Sequence, residues 1–127
     1  MAVNIDHQFR ATADRLWEIL GKPDRVDWVP GVQRCVLEDD VRSLTLPGAG
    51  NIKERILFHS NERRIIEYSC FEAPGALKTH RARMEVLSNA KGCQLLWQAE
   101  VTPVNIEAFI RKSMEGCLVR LEQLLNP

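Results

Sequence analysis

Apolar residues follow two different rhythms along this chain, and the change of rhythm divides it. Residues 3–10 alternate and predict a first strand. Ala13, Leu16, Trp17 and Leu20 then follow at helical spacing behind Thr12, a residue type that accepts hydrogen bonds from a helix's first free N–H groups. Gly21 and Pro23 stop that helix. Pro23-Asp24-Arg25-Val26-Asp27 predicts a second short helix, because proline at a first helical position wastes no backbone donor. From Val32 to Val101 the period becomes two, interrupted by turn signals at Asp39-Asp40, Pro47-Gly48-Ala49-Gly50, Ser60-Asn61-Glu62, Ala73-Pro74-Gly75 and Ala90-Lys91-Gly92. These signals cut the region into six strands. After Pro103 a long helix is predicted over residues 105–125, with Ile106, Phe109, Ile110, Ser113, Cys117, Leu121 and Leu124 on one side.

Strands joined by short turns pair as an antiparallel meander, and a meander needs one face covered. Seven strands at about 4.8 Å spacing make a sheet roughly 30 Å wide, whereas a helix is about 10–12 Å across. The sheet must therefore curl around the last helix, and the space left over predicts an internal cavity. The expectation is an α+β domain spanning residues 1–127: a curved seven-stranded antiparallel sheet around a long C-terminal helix, with two short helices between the first two strands.

Alternation assigns the cavity-facing residues. Trp97 and Ala99 face inward from the last strand, and Met84, Ala82 and His80 from the one before it. Tyr68 and Cys70 do so from the fifth, Glu54, Ile56 and Phe58 from the fourth, and Arg42 and Leu44 from the third. If the hairpins centre on Gly48, Asn61 and Pro74, Arg42 faces Glu54, Glu54 faces Tyr68, and Tyr68 faces His80. A two-residue turn at Ala90-Lys91 would place Met84 opposite Trp97. Phe109, Ser113 and Cys117 complete the lining from the helix. Buried charge is costly unless paired, so the row Arg42-Glu54-Tyr68-His80 is either a satisfied polar network or a set that meets the polar end of a ligand. Acid–base work by Glu54 or His80 is a further alternative. Trp28, Pro47, Gly48 and Leu77 are candidates for the mouth or gate.

Charge and composition narrow the class. Seventeen basic and seventeen acidic residues cancel, which removes any global attraction to nucleic acid or an anionic membrane. No apolar run is long enough for a membrane span, and the first residues lack the order of a signal peptide. The four cysteines and three histidines show no metal-binding or redox spacing, so no metal and no cofactor is expected. Scattered cysteines suit a reducing cytoplasm.

Several segments resemble the START-related helix-grip superfamily, and its polyketide cyclase/dehydrase and lipid-transport branch in particular. These are Leu16-Trp17-Glu18-Ile19-Leu20, Trp28-Val29-Pro30-Gly31, Ile52-Lys53-Glu54-Arg55-Ile56-Leu57, Arg64-Ile65-Ile66-Glu67-Tyr68-Ser69, and Leu96-Trp97 with Pro103. The resemblance spans nearly the whole chain and implies a hydrophobic ligand cavity. Plant abscisic acid receptors, distant members, are similar around the inner-face strands. Their Ser-Gly-Leu-Pro-Ala gate is replaced by Pro47-Gly48-Ala49-Gly50 and their His-Arg-Leu latch by Gly75-Ala76-Leu77. The expected partner is thus a small hydrophobic or amphipathic molecule, lipid- or polyketide-like. The alternatives are a cyclase/dehydratase-like enzyme using the same cavity, and an interaction module or homodimer working through an outer stripe of Arg55, Arg81 and Arg83.

Overall fold

The computed structural model describes residues 2–127. Strand β1 (Ala2–Phe9) leads into helix α1 (Ala13–Leu20), and a long loop follows. Then come β2 (Cys35–Glu38), β3 (Val41–Leu46), β4 (Gly50–Ser60), β5 (Ile65–Glu72), β6 (Thr79–Asn89) and β7 (Gly92–Thr102). A single 3₁₀ turn, Val104–Ile106, precedes helix α2 (Glu107–Leu125). The strands form one antiparallel sheet in the order β1-β7-β6-β5-β4-β3-β2, so the meander is closed only by β1 pairing with the last strand.

Helix α1 forms where the sequence places it. The Thr12 hydroxyl accepts from the Arg15 N–H at 3.3 Å, and the Gly21 N–H ends the helix on the Trp17 carbonyl at 2.7 Å. Ala13, Leu16, Trp17, Ile19 and Leu20 are buried, which turns the apolar side onto β6 and β7. A Cβ at Gly21 would stand 2.5 Å from the Trp17 ring, so that close approach requires glycine.

The second short helix does not form. Residues 22–32 make separate turns instead, with Arg25 N–H to Lys22 O, Val29 N–H to Val26 O, and Val32 N–H to Val29 O. Isolated three-residue turns without successive i→i−4 bonds do not propagate as an α-helix. Pro30 supplies no donor, and Gly31 at φ +79° reverses the chain. One short helix, α1, therefore lies between β1 and β2.

The two ends of the sheet's concave side are filled differently. At one end lie α1, the β4–β5 and β6–β7 hairpin tips, and the last turn of α2. Arg15 Nη2 donates to the Leu125 carbonyl at 2.9 Å, and Trp17 Nε1 donates to Asn61 Oδ1 at 2.9 Å. Phe9, Leu16, Leu95 and Leu121 are fully enclosed there. At the other end lie the β3–β4 turn, the β5–β6 loop and the first turns of α2.

Two bulges set the face of several side chains. In β4, Ile56 pairs with Tyr68 but Phe58 pairs with Glu67, so Leu57 is the extra residue. Beyond it the parity inverts: Phe58 lies on the outer face, 40% exposed beneath Arg63, and is not a cavity residue. The same inversion carries His59 inward, where its Nε2 bonds the Gly21 carbonyl at 2.8 Å and its ring stacks on Trp17. In β5, Phe71 is the extra residue between pairs Lys53–Glu72 and Glu54–Cys70.

Candidate functional site

Strands β3 to β6 bring the polar row together in a corrected register. Arg42 faces Glu54, as the Gly48-centred hairpin requires, and Met84 faces Trp97. The next two hairpins centre on residues 62 and 75, one later than the turn signals imply, which slides each partner by two. Glu54 consequently faces Cys70, while Tyr68 pairs with Ile56 on one side and Ala82 on the other. The β5–β6 ladder gives way beyond Tyr68, where the Cys70 N–H donates to His80 Nδ1 at 2.9 Å. The Ser69 hydroxyl donates to the His80 carbonyl at 2.5 Å. The row is therefore Arg42, Glu54, Cys70 and His80, with Tyr68 one rung deeper and reached diagonally.

Within this cluster the buried charge is paired and several donors have assigned partners. Arg42 is the one fully buried charged residue among those described. Its Nε donates to Glu54 Oε1 at 2.7 Å and its Nη1 to the Pro23 carbonyl at 2.9 Å, while its guanidinium lies 4.7 Å from the Tyr68 ring centroid. Burial opposes the Arg42 charge most strongly, but Glu54, through its charge and hydrogen bond, together with Tyr68 more than offsets it and keeps the guanidinium ionised. The Tyr68 hydroxyl accepts from Trp97 Nε1 at 3.2 Å, and burial raises its pKa far above the ordinary phenol range. His80 lies 5.8 Å from the Tyr68 ring, and its pKa is lowered chiefly by burial. Since His80 Nδ1 accepts from Cys70, its hydrogen sits on Nε2.

Two cavities meet at this cluster. An inner one of about 100 Å³ lies between Trp28, Tyr68, Trp97, Ser113 and Cys117. An outer one of about 340 Å³ lies beneath the β3–β4 turn and the β5–β6 loop. Leu46, Ile52, Glu54, His80 and Ile110 border both, so the two are compartments of one chamber with the carboxylate and the imidazole at the division. The outer volume falls in the range of pockets that hold small organic ligands. The roof is held by close packing: a Cβ on Gly48 would stand 3.1 Å from Phe109, and one on Gly50 would stand 3.0 Å from Pro74. Both glycines have positive φ, so any other residue there would be strained as well as crowded. Larger hollows of about 500 and 1080 Å³ lie on the surface and are bordered mainly by solvated polar side chains.

The remaining expected site residues divide by position. Leu44 borders the inner cavity, and Cys70, Gly48, Leu77 and Phe109 the outer one, Phe109 with 41% of its surface exposed. Ala82 and Met84 face inward as expected but are sealed into the packed core, and half-buried Ile56 packs against it; none borders either cavity. Trp28 is no mouth residue: it is buried at the inner wall, edge-on to Trp97 at 5.8 Å. Pro47 packs toward Gly31 rather than over the outer cavity. The outer arginines are engaged, Arg55 with Asp40, Arg81 with Glu67, and Arg83 with Glu67 and Glu85, which neutralises the basic stripe. Met114, fully buried at the inner cavity, escaped the sequence reading although its helical spacing from Ile110 and Cys117 marks it. Burial raises the Cys70 pKa to about 11 and the Cys117 pKa to about 12, so neither thiol is a ready nucleophile.

A long C-terminal helix gripped by a curved antiparallel sheet, with a chamber between them, defines the helix-grip class. Residues 2–126 match the family model described as polyketide cyclase / dehydrase and lipid transport, and this chain belongs to that family. No curated protein matches the sequence. Among solved structures, an uncharacterised protein from Bacillus thuringiensis is 19% identical, with TM-score 0.90 over 100% of both chains. Norcoclaurine synthase from Thalictrum flavum is 19% identical, with TM-score 0.76 over 98% of this chain and 85% of that one. Ara h 8.0201 is 10% identical, with TM-score 0.81 over 98% of this chain and 97% of that one. At such identities the likeness establishes the fold alone. No helix among the described residues is long and apolar enough to cross a membrane.

Proposed function

We propose that this domain binds a small apolar or amphipathic molecule, lipid- or polyketide-like, in the two-compartment chamber. The observation that carries this reading is the position of Glu54 and His80, which border both compartments within otherwise largely apolar walls. A pocket of this kind needs few polar groups to fix orientation. The polar end of the ligand meets Glu54, His80 and Tyr68, and its apolar body lies along Leu46, Ile52, Ile110 and Phe109. Four unpaired cysteines suit a reducing compartment, and the cytoplasm is the proposed location. No nucleic-acid partner is proposed.

The test is mass spectrometry of small molecules released by denaturing gently purified protein, followed by titration of the released species into Glu54→Ala and His80→Ala. A stoichiometric apolar species whose affinity drops at least tenfold in either variant is the expected result. Unchanged affinity in both would remove the polar cluster from the reading. Turnover is a second reading, favoured by a neutral imidazole beside a carboxylate in one cavity wall. It requires a product, and a pH–rate profile abolished by either substitution.

A further inference from the structure

Each cation bordering the chamber already has its counter-charge within the protein. Arg42 gives Nε to Glu54 and Nη1 to a backbone carbonyl. Arg25, at the edge of the inner cavity, grips Asp27 through Nε at 2.7 Å and Nη2 at 3.0 Å. Among the described residues no lysine or arginine borders the outer cavity, where Glu54 and His80 are joined by apolar and small polar groups and the high-pKa thiol of Cys70. What remains for a ligand is a short set of hydrogen-bonding atoms. Glu54 uses only Oε1 toward Arg42, leaving its second oxygen as an acceptor. His80 keeps an Nε2–H without a protein acceptor among the described residues, because Nδ1 is taken by Cys70. Tyr68 accepts from Trp97 and retains its own O–H to donate.

We propose that the chamber selects an uncharged ligand: an apolar skeleton whose hydroxyl or N–H donates to Glu54 and whose nearby acceptor takes a hydrogen bond from His80 or Tyr68, with free carboxylates, sulfonates and phosphates rejected. This rests on the binding reading above and specifies its ligand class. An anion in the chamber would lie against the carboxylate of Glu54 with no unpaired cation to receive it, and an uncompensated charge in a largely apolar cavity carries a heavy desolvation cost. An anionic head that reached the remaining N–H groups of Arg42 would share a cation already cancelled by Glu54 at 2.7 Å, and would lie against that carboxylate. An uncharged donor meets no such repulsion.

The test pairs two fluorescent probes of one skeleton, N-phenyl-1-naphthylamine and 1-anilinonaphthalene-8-sulfonate, which differ by a single sulfonate. Both are titrated into the full chain and into Ser113→Leu, whose added bulk blocks the inner compartment and so reports whether signal comes from the chamber. The expected result is that the uncharged amine binds at least tenfold more tightly than the sulfonate, and that Ser113→Leu weakens it. Glu54→Gln exposes the charge of Arg42 and is expected to narrow the gap between the probes at least tenfold; Arg42→Gln with Glu54→Gln restores it. Equal or tighter sulfonate binding to the wild-type chamber overturns the selectivity but leaves the binding reading standing. A gap unchanged in a folded Glu54→Gln protein overturns the charge-cancellation argument. Failure of both probes to bind overturns the chamber reading and this inference with it. The wild-type ratio decides the matter even where Glu54→Gln fails to fold.

Discussion

At the α1 end of the concave face, Phe9, Leu16, Leu95 and Leu121 leave no room for a ligand, and α1 lies across the opening. At the opposite end the same sheet and the same helix α2 enclose the chamber, with the polar cluster at its centre and only two loops as a roof. The difference arises from what the chain supplies to each end. One end receives a helix with an apolar face. The other receives the turn Pro47-Gly48-Ala49 and a loop of small residues, Ala73-Pro74-Gly75-Ala76, which cannot fill the span. Stability is thus concentrated at one end and space for chemistry is left at the other.

The largest expected effect tests whether the polar cluster is internally satisfied. Glu54→Leu strands the buried guanidinium of Arg42 and should cost about 3–5 kcal/mol by urea unfolding. Adding Arg42→Met should recover at least half of the loss; no recovery would mean that the pair itself is not the source. Next comes the contrast between the two ends. Leu121→Ala should cost about 2–5 kcal/mol, whereas Ile110→Ala, on a wall that already faces a void, should cost no more than about 1 kcal/mol. Similar losses at both positions would erase the distinction drawn here.

Adding volume should reverse the ranking. Ala82→Leu forces a side chain into close packing and should cost about 1–3 kcal/mol, while Ser113→Leu enters the inner cavity and should shift stability by less than about 1 kcal/mol. Thermal unfolding of the two variants side by side measures this. The smallest effect is a pH dependence. The pKa of His80 is lowered in the folded protein, so as pH falls through about 6.5 the unfolded chain takes up the proton first and stability declines. The decline ends below the folded pKa. His80→Gln should flatten that segment of the stability curve, and an unaltered slope would assign the decline to other groups.

Alternation and short turns made the β2–β7 meander and most of its inward residues legible, because each strand buries one face and a one-residue slip would expose it; the place of β1 beside β7 had no such local signal. The helix spacing of residues 105–125 was equally plain. What alternation cannot carry is an uncounted residue. Leu57 and Phe71 each add one, and nothing in their own side chains distinguishes a bulge from ordinary pairing. Phe58 was therefore read onto the wrong face. The hairpin centres failed for a related reason: the loops after β4 and β5 continue past their turn-forming residues, which slid Tyr68 one rung from the expected row. Arg42–Glu54 survived because the β3–β4 turn is short. The segment after α1 carried a helix-start signal in Pro23 but no sustained apolar period beyond it, and separate turns won.

The pairing of β1 with β7 dictates an order of assembly. Ribosomes deliver β1 and α1 early, yet the ladder partner of β1 lies in residues 92–102. Until that segment appears, Val3 and Phe9, together with the apolar side of α1, lack the surface that buries them in the finished protein. The β2–β6 meander can form by short-range pairing meanwhile, since each strand meets its neighbour soon after synthesis. Completion waits on the longest loop closure in the molecule. Truncation before β7 would therefore leave the apolar sides of β1 and α1 uncovered and the chain prone to self-association.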